Sequence, residues 1–77
     1  MMDNVSSRKP ELPSARVLTE LRRRLDAGEW EKDQALPPVA DLAAEYGVAR
    51  GTVARALKQL EEEGLVRVVP RWGTFRA

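Results

Sequence analysis

Arg50, Gly51, Thr52, Arg55 and Lys58 lie within nine residues of one helix-periodic stretch, Asp41–Leu60. Their types suit recognition of a nucleic acid. An arginine fork matches guanine O6 and N7, and a good bidentate pair contributes about 1–3 kcal/mol of discrimination. Lysine is a flexible point charge suited to phosphate. A threonine hydroxyl beside the free N–H groups of a helix's first turn can hold a phosphate as well. Gly51 adds no bulk where a backbone must approach a ligand. On a wheel of about 100° per residue, Gly51, Ala54, Arg55, Lys58 and Glu62 share one side, opposite Val53, Ala56, Leu57 and Leu60. That outward side is small near its N-terminus, cationic in the middle and acidic at its far end. A second cluster, Arg71-Trp72-Gly73, follows near the end of the chain. Arginine there enters a narrow minor groove or binds phosphate. Trp72 either stacks on sugar or folds back onto Phe75 and the core.

Other chemistries are poorly supplied. The 77 residues contain no cysteine and no histidine, which excludes disulfides, zinc sites and histidine acid–base catalysis. There is no Gly-rich phosphate loop and no convincing carboxylate pair, and Glu61-Glu62-Glu63 reads as a solvated helix end. We therefore expect no enzyme, no cofactor and no metal. The net charge of +1 is uneven: residues 65–77 carry Arg67, Arg71 and Arg76 and no acid. This is the footprint of a polyanion contact. No apolar run reaches about 18 residues, and the N-terminus lacks a secretory h-region. A soluble, cytoplasmic chain without a membrane contact is expected.

The elements that must position these residues follow from periodicity. Residues 1–13 are polar and aperiodic and predict a flexible arm; Arg8 and Lys9 there read as part of a disordered tail. The remaining 14–77 form one domain, small enough to bury only about 60% of its unfolded surface. Ser14 is a candidate N-cap for a first helix reaching about Ala27 and stopped by Gly28. Val17, Leu21 and Leu25, with Leu18, mark its buried face. Arg22-Arg23-Arg24 point about 100° apart and read as a solvated face with local charge pairs, from which one arginine can still reach phosphate. Trp30 reads as a lid over helix ends. A very short strand is expected at Gln34–Leu36, ending at Pro37-Pro38, which open a second helix at Val39. Gly47 ends that helix and turns the chain. The third helix runs from about Arg50 to Glu63, with Gly64 as its stop. Leu65–Pro70 and Thr74–Arg76 then flank Arg71-Trp72-Gly73 as a hairpin. The predicted fold is mainly α with a small β-hairpin: a winged helix-turn-helix of three helices and a two-stranded wing.

The chain resembles the GntR family of bacterial winged-helix transcription regulators over residues 14–76. The resemblance rests on Gly28-Glu29-Trp30, Leu36-Pro37, Asp41-Leu42-Ala43, Tyr46-Gly47-Val48, Arg50-Gly51-Thr52-Val53, Ala56-Leu57, Leu60–Val66 and Gly73-Thr74-Phe75. It implies operator binding as a dimer, usually with repression, and DNA contact by the Arg50-Gly51-Thr52 corner and the Arg71–Gly73 wing. Several positions depart from the family pattern. Pro38 stands where a capping serine is common, Ala40 where a basic residue is frequent, and Ala49 where Ser or Thr precedes the arginine. Ala54 is sometimes basic in the family, so Arg55 is expected to carry more of the readout. Loss of a cap costs roughly 1 kcal/mol, so a weakly stable domain is expected. The family normally adds a C-terminal domain that binds an effector and dimerises; this chain stops at Ala77, as an excised domain or a short regulator without its own ligand sensor.

The expected function is sequence-specific DNA binding by a transcription regulator, a repressor by resemblance. The expected partner is double-stranded operator DNA, for which the resemblance implies a palindrome read by a homodimer. The alternative is a winged-helix module for protein–protein contact, using an apolar patch of Val68, Val69, Trp72 and Phe75.

Overall fold

A computed structural model describes residues 12–77. The expected arm, with Arg8 and Lys9, falls almost entirely outside the described residues. Three helices and a hairpin follow in order: α1 (Pro13–Asp26), α2 (Val39–Tyr46), α3 (Arg50–Glu62), β1 (Val66–Val69) and β2 (Gly73–Arg76).

α1 opens two residues earlier than a Ser14 cap would place it, and Ser14 is not its cap. Leu12 is the N-cap, without a side-chain hydrogen bond, and Pro13 is the first helical residue. Proline lacks the N–H that the first turn would leave unpaired, and its fixed φ already suits the helix. Val17, Leu21 and Leu25 are buried along one stripe, and Leu18 packs beside them.

α2 begins at Val39, behind the prolines. Pro38 is its N-cap, extended at ψ 154°, and offers no side-chain oxygen. Leu42 and Ala43 face the core. At its end Gly47 takes φ +67°. The Val48 N–H then reaches back to the Ala43 carbonyl at 3.0 Å and the Gly47 N–H to Ala44 at 3.3 Å. A side chain at positive φ would crowd the backbone, so glycine permits this closure of the orphan carbonyls. The same pair of bonds, Glu29 to Arg24 with Gly28 to Leu25 and Leu65 to Leu60 with Gly64 to Glu61, terminates α1 and α3.

α3 buries Val53, Ala56, Leu57 and Leu60. It packs against α1, α2 and β1, so it is the element at the centre of the domain. With Val17, Leu21, Leu25, Trp30, Leu36, Leu42, Ala43 and Val66 these side chains make one hydrophobic core. Trp30 is buried as the expected lid, and the Arg24 guanidinium lies 4.7 Å from its ring centroid.

β1 and β2 pair antiparallel from Val66↔Arg76 to Val69↔Gly73. The expected short strand exists as a single bridge, Ala35↔Phe75. Leu36 N–H donates to the Thr74 carbonyl and Arg76 N–H to the Gln34 carbonyl, each at 2.8 Å. The base of the hairpin is thereby clamped to the segment entering α2.

Arg22-Arg23-Arg24 are paired, but less locally than expected. Arg23 binds Glu20 at 2.8 Å, whereas Arg22 reaches Glu63 at 2.6 Å. Arg24 binds Glu29 at 2.5 Å and Glu45 at 3.1 Å, and donates to the Tyr46 hydroxyl at 2.8 Å. Three helices and the Trp30 turn meet through these bonds. Each arginine of the triplet is thus engaged by a carboxylate.

The hydrogen bond from Arg24 holds the Glu29 carboxyl below its ordinary value of 4.5, and that from Arg22 does the same for Glu63. Carboxylates with depressed folded-state pKa values stabilise the fold above the unfolded value and lose that contribution as pH falls through the folded one. The thermal midpoint should therefore hold steady above about pH 5 and decline below it, and Glu29→Gln with Glu63→Gln should blunt that decline. Circular dichroism melts between about pH 3 and pH 7 check this. The uncapped α3 generates a second expectation: Ala49→Ser should raise unfolding free energy by about 1 kcal/mol in urea titrations.

Candidate nucleic-acid interface

The residues singled out on α3 stand on one exposed face. Arg50, Gly51, Ala54, Arg55 and Lys58 are exposed and Thr52 is half-buried. The helix starts from Ala49, which is extended at ψ 154° and makes no side-chain cap bond. Thr52 and Val53 N–H groups return to the Ala49 carbonyl at 3.1 and 3.4 Å. The N–H groups of Arg50 and Gly51 precede any intrahelical partner and point out of the helix end. Partial positive charge gathers there.

Gly51 is informative because the fold does not require it. Nothing lies within 4 Å of a Cβ built at this position, and its φ is not positive. Glycine in a helix costs roughly 0.5–1 kcal/mol relative to alanine. With no internal reason for that cost, the bare backbone points to something approaching from outside.

The wing tip is formed by Pro70, Arg71 and Trp72 between Val69 and Gly73. The Trp72 N–H donates to the Val69 carbonyl at 3.0 Å. Pro70 occupies the second position of this turn, and Arg71 the third at φ +72°. Such a turn normally takes glycine or asparagine at that third position. A cation is therefore held at the apex in a conformation its side chain disfavours. Trp72 does not fold back onto the core: it is 79% exposed. Gly73, at φ +122°, carries the chain from the tip back into β2.

Charge sorting separates the candidate residues from the remaining cations. Among the described residues, Arg16 donates to the Tyr46 carbonyl, Arg22, Arg23 and Arg24 bind carboxylates, Arg67 binds Asp33, and Arg76 donates to the Trp30 carbonyl. Arg50, Arg55, Lys58 and Arg71 make no side-chain hydrogen bond or ion pair with another described residue, and among the other described cations only Lys32 shares that property. The unpaired positive charge is therefore concentrated on α3 and the wing. A shallow groove lined by Val39, Ala54, Lys58, Val68 and Thr74 runs between these two elements.

The acidic run departs from the sequence reading. Only Glu62 is a free carboxylate at the helix end. Glu63 accepts from Arg22 and Gln59, and Glu61 accepts from the Val68 N–H. Residue spacing carried no sign of the Val68 or Arg22 bonds, because their partners are brought in by the tertiary fold.

Two helices joined at a glycine turn, with the second presenting bare cations and a hairpin beside it, define a winged helix-turn-helix domain. Comparison with known proteins agrees. The chain belongs to the gntR family of bacterial regulatory proteins, whose model matches residues 13–75. It is 42% identical over 59 residues to the uncharacterized HTH-type transcriptional regulator RB1450 of Rhizobium meliloti (strain 1021), covering 77% of this chain and 24% of that protein. It is 34% identical over 62 residues to the histidine utilization repressor of Klebsiella aerogenes, covering 80% and 26%. The chain thus spans about a quarter of the length of these relatives. Among solved structures, AraR(DBD) in complex with operator ORX1 superposes with a TM-score of 0.84 at 31% identity, covering 88% of this chain and 82% of that one. No helix of the described residues is long and apolar enough to cross a membrane.

Gly51 yields a test in which stability and binding move in opposite directions. Gly51→Ala should stabilise the domain by about 0.5 kcal/mol while weakening its binding to duplex DNA. Urea unfolding and fluorescence anisotropy on the same preparation read both effects.

Proposed function

We propose that the chain is a sequence-specific DNA-binding domain of a transcription regulator, with repression as its mode. The observation that carries this reading is the segregation of unpaired cations onto α3 and the wing tip, while Arg22, Arg23 and Arg24 of α1 are engaged by carboxylates. In this reading α3 enters the major groove. Arg50 and Arg55 read base edges, Lys58 and Thr52 hold phosphates, and Gly51 allows the helix end to come close. Arg71, Trp72 and Gly73 take the adjacent minor groove or its phosphates. The operator complex of the AraR domain and the repressor named among the relatives support the same function.

A single domain of this size reads one half-site, so a palindromic operator occupied by two copies is the assembly we assign. The chemistry is binding without catalysis: positioned cations and hydrogen-bond donors suffice, and no step needs a cofactor. A DNA-directed role places the protein in the cytoplasm.

The decisive experiment selects bound sequences from random duplexes and measures affinity against salt. The logarithm of affinity should fall linearly with the logarithm of salt concentration, by close to one unit of slope per phosphate neutralised. Arg50→Ala and Arg55→Ala should each lose about 1–3 kcal/mol on the selected sequence and relax base preference at one position. Lys58→Ala should weaken all sequences alike and reduce the slope by about one. Unchanged gel shifts in both Arg50→Ala and Arg71→Ala would remove the assigned interface.

A further inference from the structure

β2 is bonded on both sides, to β1 and to the Gln34–Leu36 segment. β1 is the open edge. Thr74 and Arg76 direct their backbone groups toward Gln34–Leu36. Gly73 and Phe75 therefore face β1, and their partners Val69 and Arg67 face back. Val66 and Val68 consequently turn their own N–H and C=O groups outward, where an edge strand normally meets solvent.

At Val68 that outward N–H meets Glu61, whose Oε2 accepts from it at 3.0 Å. Among the described residues this is the one side-chain hydrogen bond between α3 and the hairpin. A carboxylate is an unfavourable neighbour for a phosphate backbone, yet Glu61 follows Arg55 and Lys58 on the same helix and lines the groove between α3 and the wing. A charge-assisted bond is stronger than a neutral one. Here it joins α3 to the strand that leads into the wing tip.

We propose that Glu61 is a positioning residue for DNA binding, fixing the angle of the wing to α3 so that Arg71 reaches the duplex while Arg50 and Arg55 are seated. The inference rests on the DNA-binding reading above. It distinguishes a tether from a charge: removing an acid beside DNA should by itself tighten binding, whereas removing a tether should loosen it.

Two measurements test it. Amide exchange of Val68 in the free protein should be slow in the wild type and Glu61→Gln, and fast in Glu61→Ala and Glu61→Asp. Aspartate keeps the charge but shortens the reach. Equal exchange in the wild type and Glu61→Ala would overturn the tether whatever the DNA result. Anisotropy titrations on the duplex selected by the wild-type protein supply the second readout. Glu61→Ala and Glu61→Asp should weaken binding about tenfold, a coupling in the range of contacting residues, and Glu61→Gln should stay within about threefold. Arg71→Ala should cost less in the Glu61→Ala background than in the wild type. Tighter binding by Glu61→Ala, or an undiminished Arg71→Ala loss in that background, overturns the proposal. A wild-type protein that selects no duplex overturns the DNA reading and the role of Glu61 with it; loss of Val68 protection alone separates the two failures.

Discussion

Burial of Val53, Ala56, Leu57 and Leu60 along one side of α3 constrains the rest of the molecule. In a domain this small there is one core, and every other element completes its own buried face only by packing on this helix or beside it. Fully burying an aliphatic side chain contributes about 1.5–3 kcal/mol, so α3 has little freedom to rotate about its axis. The opposite side is then committed to solvent or a ligand. Arg50, Arg55 and Lys58 are exposed because their neighbours at helical spacing are not.

The same constraint distributes the charges. α1 lies across α3 with its own buried stripe, which brings Arg22 to Glu63 and turns Arg24 toward Glu29, Glu45 and Tyr46. Exposed ion pairs of this kind contribute little to stability singly. Their consequence is selective neutralisation. Among the described residues the arginines of α1 and of the wing strands have internal partners, while Arg50, Arg55 and Lys58 on α3 and Arg71 at the wing tip do not, so the molecule presents a local cationic face despite a net charge of +1.

The wing shows a different balance. Its base is clamped by the Ala35 bridge and the flanking bonds to Gln34 and Leu36, but its tip extends past these supports. There Arg71 takes a positive φ and Trp72 stays exposed. Neither choice serves packing. Conformational cost and apolar exposure together are what a surface reserved for a partner looks like. The protein–protein alternative shares the exposed Trp72, but it does not account for the unpaired arginines of α3.

Periodicity alone determined much of this protein. The stripes of α1 and α3, the glycine stops at Gly28, Gly47 and Gly64, the opening of α2 behind Pro38 and the hairpin all follow from side-chain spacing and backbone preference, which act over a few residues. So does the outward face of α3, since a helix with one buried stripe leaves one bare side. Local signals failed where two local devices competed, as at Ser14, where Pro13 already satisfied the start of the helix. Tertiary structure alone decided which charges are free. Nothing in the order of residues shows that Glu61 meets Val68, that Glu63 meets Arg22 or that Arg24 lies over Trp30. Nor does it show that Trp72 turns outward. The Arg22–Glu63 pair joins segments 41 residues apart, and the others depend on how the chain turns after each helix, which side-chain spacing does not fix.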